Sequence, residues 1–391
     1  MAKIVDADSH IFEQPGMWKD YMPASERHLA LDIEEDGKGF SWLTHRGARL
    51  LQCYISQPGD FWASYGRPHQ RQRAGETAEF RYTEMPSTYR DPAARRDALD
   101  GWGLDQQVLF PNWGLNFGLY LQGDAASERA NVGAWNRWAA DVASTGGGRL
   151  LPAGHLTLRA DPDWISDQLS RLAAAGIRQV FLPIGLVNGK RLSHPDFEHV
   201  WAQMVDLALV PTFHIGAFAE RTIADGYQDG DVIQYMTLQS LIMNGLEAQI
   251  ALVDLITNGV FDRHPRLNWV VAEYSVGWIP EFRFKLDVGY DIHYQVVGKH
   301  NLALANKPST YLDEHIRFVS FAGEQPGKVM DSSAGNIMFG SDYPHAEGLL
   351  NPLEDYRARA GDLGEREPAF YGGTLTTALD RAAGVPSLAR P

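Results

Sequence analysis

The chain has 391 residues, 44% of them hydrophobic, one cysteine and a formal net charge of −14. That length can bury a large core, and an acidic balance without a basic run argues against nucleic acid or an anionic membrane surface as partner. The lone Cys53 excludes an intrachain disulfide and a thiolate zinc cluster, and no apolar run reaches the length of a membrane span.

The N-terminus enters Lys3-Ile4-Val5-Asp6 without a signal-peptide core. A soluble, cytoplasmic protein is expected. The stretch Ile4-Val5-Asp6-Ala7-Asp8-Ser9-His10 reads as a strand whose period of two puts Asp8 and His10 on one face. Asp6 shares that face, either as another inward group or as a binder of backbone N–H groups at the barrel mouth. Residues 11–35 read as irregular, with Pro15 and Pro23 breaking any helix. Residues 40–51 read as a hairpin turning at His45-Arg46-Gly47. Residues 56–90 are rich in Gly, Pro, Arg and Gln and show no period. The whole of 11–90 is taken as an insertion after strand one that covers the mouth as a lid, because loops of that length usually serve a function.

A regular alternation starts at Asp91. Helices are predicted over 92–102, 125–143, 162–174, 196–207, 233–256 and 279–297, with a short one near 327–333. Strands are predicted over 106–110, 150–155, 179–183, 210–214, 267–273 and 316–321. The last strand is Ile337-Met338-Phe339-Gly340-Ser341-Asp342, followed by Tyr343-Pro344-His345. Eight strands alternating with helices predict an α/β fold, a (β/α)8 TIM barrel, with 351–391 as a helical C-terminal extension outside it. One domain, 1–391, is expected.

In such a barrel the catalytic groups sit at the C-terminal ends of strands. Asp8 and His10, His214, Glu273, and Asp342 with His345 all fall there, which suggests one metal-binding mouth. These motifs also resemble a known family. Asp8-Ser9-His10, Pro211-Thr212-Phe213-His214, His264-Pro265-Arg266-Leu267 and Gly340-Ser341-Asp342-Tyr343-Pro344-His345 resemble the signatures of the amidohydrolase superfamily. Within it the chain is similar to the amidohydrolase-2 branch, typified by aminocarboxymuconate-semialdehyde decarboxylase. The segments 99–105 with Leu109-Phe110-Pro111, and 192–197 with Val200-Trp201, agree with that branch.

The resemblance implies Asp8, His10, His214 and Asp342 as ligands of a divalent metal. Their donor types suit Zn2+, Mn2+ or Fe2+, one or two per chain. It also implies metal-bound water as nucleophile in a hydrolase, with Asp342 as general base. One position departs from the pattern: many family decarboxylases carry a histidine at the end of strand six, where this chain has Glu273. Glu273 is open as a further ligand, a bridge to a second metal, or a catalytic base. His345 either completes a second metal site or braces the Asp342 loop. His155 also ends a strand and is open as a packing group, a support behind the ligands, or a contact to substrate.

Three activities fit this reading. A metal-dependent hydrolase is the broadest. A non-oxidative decarboxylase of an aromatic or unsaturated acid is weakened by the missing strand-six histidine. A dinuclear non-haem iron oxygenase gains from Glu273 and His345. The aromatics Trp42, Phe61, Trp62, Tyr65 and Trp113 predict a sizeable, partly apolar small-molecule substrate, with Trp62 and Trp113 in contact with it. Arg46, Arg67, Arg71 and Arg73 are available to clamp a carboxylate, although loop arginines are ordinarily solvated charges. A homodimer is compatible with the apolar helix over 233–256.

Overall fold

The apolar runs that end in acids and histidines pair with one another in parallel, each beside its neighbour in the chain. The structure is a computed structural model describing residues 3–53, 77–78, 81–218, 242–243, 245–298, 304–330 and 336–385. Its strands are β1 (Val5–Asp6), β2 (His10–Ile11), β3 (Leu31–Glu35), β4 (Ser41–His45), β5 (Ala48–Gln52), β6 (Gln106–Pro111), β7 (Leu150–Pro152), β8 (Gly154–His155), β9 (Gln179–Phe181), β10 (Val210–His214), β11 (Trp269–Ala272), β12 (Ile316–Ser320) and β13 (Ile337–Phe339).

The pairings run β1 and β2 with β6, β6 with β7, and then β8 through β13 in order, all parallel. The last strand returns to the first. Ala7 N donates to Phe339 O at 2.9 Å and His10 N to Tyr343 O at 2.7 Å, and Ser9 bridges Tyr343 in parallel. With β1/β2 and β7/β8 each forming one interrupted strand, eight strands close into a (β/α)8 TIM barrel. Strands covered on both faces read as continuous apolar runs, and the barrel strands are buried almost throughout.

Strand one departs from the expected regular period. Asp6 pairs with Gln107 but His10 with Phe110, so β1/β2 spends one more residue than β6 over the same span. That extra residue is a bulge at 7–9. Asp8 therefore reaches the mouth from an interruption in the strand.

The helices start where the sequence offers caps. Asp91, Asp124 and Asp161 each accept a backbone N–H of the first turn, and proline follows Asp91 and Asp161 directly. The helices include Ala125–Thr145, Pro162–Ala174, Glu198–Asp206, Leu246–Thr257, Ile279–Val297 and Pro308–His315. Of the helix expected over 233–256, residues 246–256 lie in helix Leu246–Thr257, while 233–241 and 244 lie outside the described residues. Among the described residues no helix is long and apolar enough to cross a membrane.

One expectation about the flanks needs correction. Residues 31–35, read as irregular, form β3, because Leu31 and Ile33 face inward and Asp32 and Glu34 outward; β3, β4 and β5 make an antiparallel sheet. Its turn has Arg46 and Gly47 both at positive φ, the geometry of a tight two-residue hairpin. This sheet leans on helix Ala125–Thr145 through Asn131, which binds the Leu31 N–H and the Leu29 carbonyl. Residues 54–76 of the expected lid lie outside the described residues. The tail packs across the N-terminal end of the barrel. Arg178, just before β9, donates to Leu379 O at 3.0 Å, and Arg381 donates to Pro265 O at 3.1 Å.

Candidate metal centre

Six side chains converge at the C-terminal mouth: Asp8 from the bulge, His10 from β2, His214 at the end of β10, Glu273 just past β11, and Asp342 and His345 past β13. All six are buried. They form two overlapping donor sets that share His10. One is Asp8, His10 and His214; the other is His10, Glu273, Asp342 and His345. Within each set the nearest ligand atoms lie within 4.8 Å of one another.

The backbone holds this arrangement under strain. Glu273 and Asp342 sit at φ 65° and 53°, left-handed values that cost a non-glycine residue about 1–2 kcal/mol. Asp342 N donates to Asp8 O at 2.9 Å, pinning one end of the chain to the other. Glu324 fixes the turn after Glu273 by accepting from Ser275 Oγ at 2.5 Å and Val276 N at 2.9 Å. Gly340 is required by crowding, since a Cβ there would lie 2.3 Å from Val319 Cγ1 and 2.7 Å from Asp8 Cβ.

The groups behind the histidines set what they present. His10 Nδ1 lies 2.9 Å from the Pro111 carbonyl, and His214 Nδ1 lies 2.9 Å from the Ile215 carbonyl. A carbonyl only accepts, so each Nδ1 carries the proton and each Nε2 presents a lone pair. His345 Nε2 donates to Asn112 Oδ1 at 2.8 Å, leaving Nδ1 as the lone pair. These three lone pairs face carboxylates. His214 Nε2 is 3.2 Å from Asp8 Oδ1, His10 Nε2 is 3.3 Å from Asp342 Oδ1, and His345 Nδ1 is 2.8 Å from Asp342 Oδ1. Burial weakens His10 and His345 as bases, and in these tautomers neither donates to those oxygens. His10 Nε2 and both Asp342 oxygens accordingly have no hydrogen-bond partner among the described residues.

Electrostatics point the same way. Burial, then the charges of Asp342 and Asp8, push Glu273 well above the ordinary carboxyl range; burial, then Asp8, does the same to Asp342. Burial holds His10 far below its usual value and lowers His345. Mutually repelling carboxylates facing imidazole lone pairs want a cation, and this donor set fits a divalent ion of the zinc, manganese or iron kind.

The other expected residues divide. Trp113 is packed into the wall, its Nε1 bound to Tyr82 Oη at 3.0 Å. His155 lies between the rings of Phe117 and Phe181, at 5.5 and 4.1 Å, with neither ring nitrogen partnered among the described residues. Asn136 grips its backbone at both N–H and C=O. Trp42 belongs to the small sheet, bound to Asp36 and covered by Arg49, away from the donor sets. Arg46 is occupied by Asp124 at 2.9 Å, which removes it as a substrate clamp. Phe61, Trp62, Tyr65, Arg67, Arg71 and Arg73 lie outside the described residues. Asp6 takes the second of its two expected roles. It accepts from Ser341 N and Oγ at 2.8 and 2.6 Å and from Gln107 at 2.8 Å, and so stitches the barrel closed; burial raises its pKa to about 6.

Sequence reasoning missed several supports. Arg95, fully buried, donates to His10 O at 2.8 Å and Thr88 O at 2.6 Å and lies 4.5 Å over the Tyr343 ring. Glu13 accepts from Trp113 N and Gly114 N at 3.0 and 2.7 Å, ordering the segment that carries Asn112. Only Asn112 left a local signal, its place directly after the strand-ending Pro111.

The chain belongs to the amidohydrolase family, whose model matches residues 6–372. No curated protein matches it in sequence. Solved structures share its fold. An amidohydrolase from Mycobacterium avium subsp. paratuberculosis K-10 superimposes with TM-score 0.76 at 20% identity, over 97% of this chain and 99% of its own. A 5-carboxyvanillate decarboxylase from Novosphingobium aromaticivorans DSM 12444, with bound manganese, gives 0.63 at 16%, over 97% of each chain. A 2,6-dihydroxybenzoate decarboxylase from Rhizobium gives 0.63 at 14%, over 97% and 99%.

Proposed function

We propose that this chain is a metal-dependent carboxy-lyase that removes CO2 from a small aromatic or unsaturated acid without redox chemistry. The observation that carries the reading is Asp342, a buried carboxylate whose two oxygens have no hydrogen-bond partner among the described residues and which borders His10 and His345. The decarboxylases among the structural neighbours favour this activity over the hydrolysis that the sequence put first.

Asp8, His10, His214 and Asp342 would hold the ion, with Glu273 and His345 beside it. A divalent cation there supplies a fixed positive charge for the substrate's carboxylate and a neighbouring oxygen. The chain's own residues do the rest. Carbonyl-locked His10 and His214 keep their lone pairs aimed at the ion. Phe110, between Phe181 and the His214 ring, keeps that side of the mouth apolar. Asp342 or Glu273 gives its proton to the carbon as the C–CO2 bond breaks, and recovers it from water. His155 and Trp113 are proposed to line the substrate's side of the mouth.

A second reading follows from the two donor sets sharing His10. Filled together, with the single lone pair of His10 given to one ion only, they would make a dinuclear centre, suited to a hydrolase or an iron oxygenase. Metal analysis of protein purified without added metal, with a Glu273→Ala variant, separates the readings. One manganese or zinc per chain, retained in the variant, with CO2 released from hydroxybenzoates, is the expected result. Two irons falling to one in the variant would replace the carboxy-lyase with the oxygenase.

A further inference from the structure

Arg95 lies in the short helix Pro92–Ala98 and is fully buried. A buried guanidinium is ordinarily set against a carboxylate, because an unpaired charge is costly to take out of water. Here every hydrogen bond among the described residues goes to a neutral oxygen. Nε donates to Thr88 O at 2.6 Å, Nη1 to Gln107 Oε1 at 3.1 Å and Ser9 Oγ at 3.4 Å, and Nη2 to His10 O at 2.8 Å. Burial brings its pKa down only to about 10, so the group stays charged at neutral pH. Closing a seam between strands needs no buried cation, since apolar side chains do it without the cost.

Two routes lead from this group to the donor sets. The first is direct: Nη2 holds the carbonyl of His10, the histidine common to both sets. The second runs through Gln107, whose Nε2 donates to Asp6 Oδ2 at 2.8 Å, and Asp6 in turn accepts from the N–H and hydroxyl of Ser341, the residue before Asp342. On the far side of Asp342, the Tyr343 ring lies 4.5 Å from the guanidinium carbon, and its hydroxyl is 2.8 Å from Thr88 Oγ1. His10 and Asp342 come from opposite ends of the chain, yet their facing atoms, Nε2 and Oδ1, are 3.3 Å apart. Arg95 is in contact with the first of them and flanks the second on both sides. A planar fork reaches these acceptors in several fixed directions at once, whereas lysine carries all its donors on one atom.

We propose that Arg95 is a positioning residue of the metal centre, fixing His10 relative to Asp342 so that one divalent ion meets both. It touches neither ion nor substrate and acts through the backbone of His10 and the segment around Asp342. The role rests on the reading of these residues as metal ligands and is independent of which reaction they serve.

The test is Mn2+ binding to the full chain stripped of metal, read from the loss of the paramagnetic resonance signal of free Mn2+. Wild type, Arg95→Lys and Arg95→Met are compared, with denaturant unfolding of the metal-free forms alongside. Lysine keeps the stem and the charge, so that variant folds even where methionine does not. Both variants are expected to bind Mn2+ about 10–100-fold more weakly than wild type, the loss that follows when a group behind a metal ligand is removed. Lysine should therefore fail to rescue the site despite its charge. A lysine variant that unfolds more easily but binds Mn2+ as tightly as wild type would overturn the proposal and leave Arg95 a residue of the seam. Full affinity with lysine and weak binding with methionine would overturn it as well, because charge rather than position would then be what matters. Wild type that takes up no Mn2+ would remove the metal centre and the role together, a result distinct from equal binding by all three proteins.

Discussion

His155→Phe separates a binding role from a packing role. The imidazole is neutral, since burial drives its pKa down to about 3, and so it holds one N–H and one lone pair. Neither has a partner among the described residues. Each unpaired buried group costs about 1–3 kcal/mol. Phenylalanine removes both and keeps an aromatic ring between Phe117 and Phe181, while its larger ring returns about 1–3 kcal/mol as overpacking. The ligand-free protein should therefore be unchanged or more stable by up to about 3 kcal/mol. For 391 residues the unfolding entropy is on the order of 0.8 kcal/mol per kelvin, so 2 kcal/mol moves the melting temperature by about 2–3 °C. Catalysis should move the other way. Loss of a hydrogen bond to an acidic substrate costs about 1.5–3 kcal/mol, or roughly 10–100-fold in kcat/KM. Calorimetry of the ligand-free protein and steady-state kinetics on the decarboxylated acid measure both. A melting temperature several degrees lower with kcat/KM intact would make His155 a packing group satisfied by water.

Other consequences are as direct. Gly340→Ala places a methyl against Val319 and Asp8, neither of which can swing away, so it should cost about 2 kcal/mol or more in denaturant unfolding and lower metal retention; a variant of wild-type stability and metal content would contradict the crowding. Glu13 and His315 give opposite pH slopes. Burial raises Glu13 to about 7, so the folded chain keeps a proton that the unfolded chain releases; its contribution is full below the ordinary 4.5 and is lost as pH rises to about 7. Burial lowers His315 to about 4, so the unfolded chain protonates first and stability is lost as pH falls from 6.5 to about 4. Each amounts to roughly 3 kcal/mol at its limit. The stability gap between wild type and Glu13→Gln should shrink between about pH 5 and 7.5, and His315→Gln should lose acid sensitivity; parallel pH curves for wild type and variants would contradict both assignments.

The barrel and the acids and histidines at its mouth were legible because the signal is local. An apolar run ending in Asp, Glu or His marks a buried strand delivering a polar group to the mouth, and His214, Glu273 and Asp342 are each found at such an end. What stayed hidden depends on distant partners. The bulge at 7–9 exists only relative to β6, and nothing in Asp6-Ala7-Asp8 announces it. Arg95 looks like a surface residue of a short helix beside Arg96, until β2 and Tyr343 close over it. β3 follows two prolines, Pro15 and Pro23, and is too short to show its alternation until β4 pairs with it. The choice among activities was illegible for a different reason, since hydrolysis, decarboxylation and oxygenation draw on the same ligand types.

The stitch from Asp6 to Ser341 joins groups 335 positions apart. The same seam brings Asp8 and His10 to Asp342 and His345, so the donor cluster is complete only once the last strand has closed on the first. Without that closure only Asp8, His10, His214 and Glu273 of the six donors are in place. The seam and the cluster are completed together, when the segment after β13 closes on the first strand. An ion that needs both donor sets would therefore bind only after the barrel has closed.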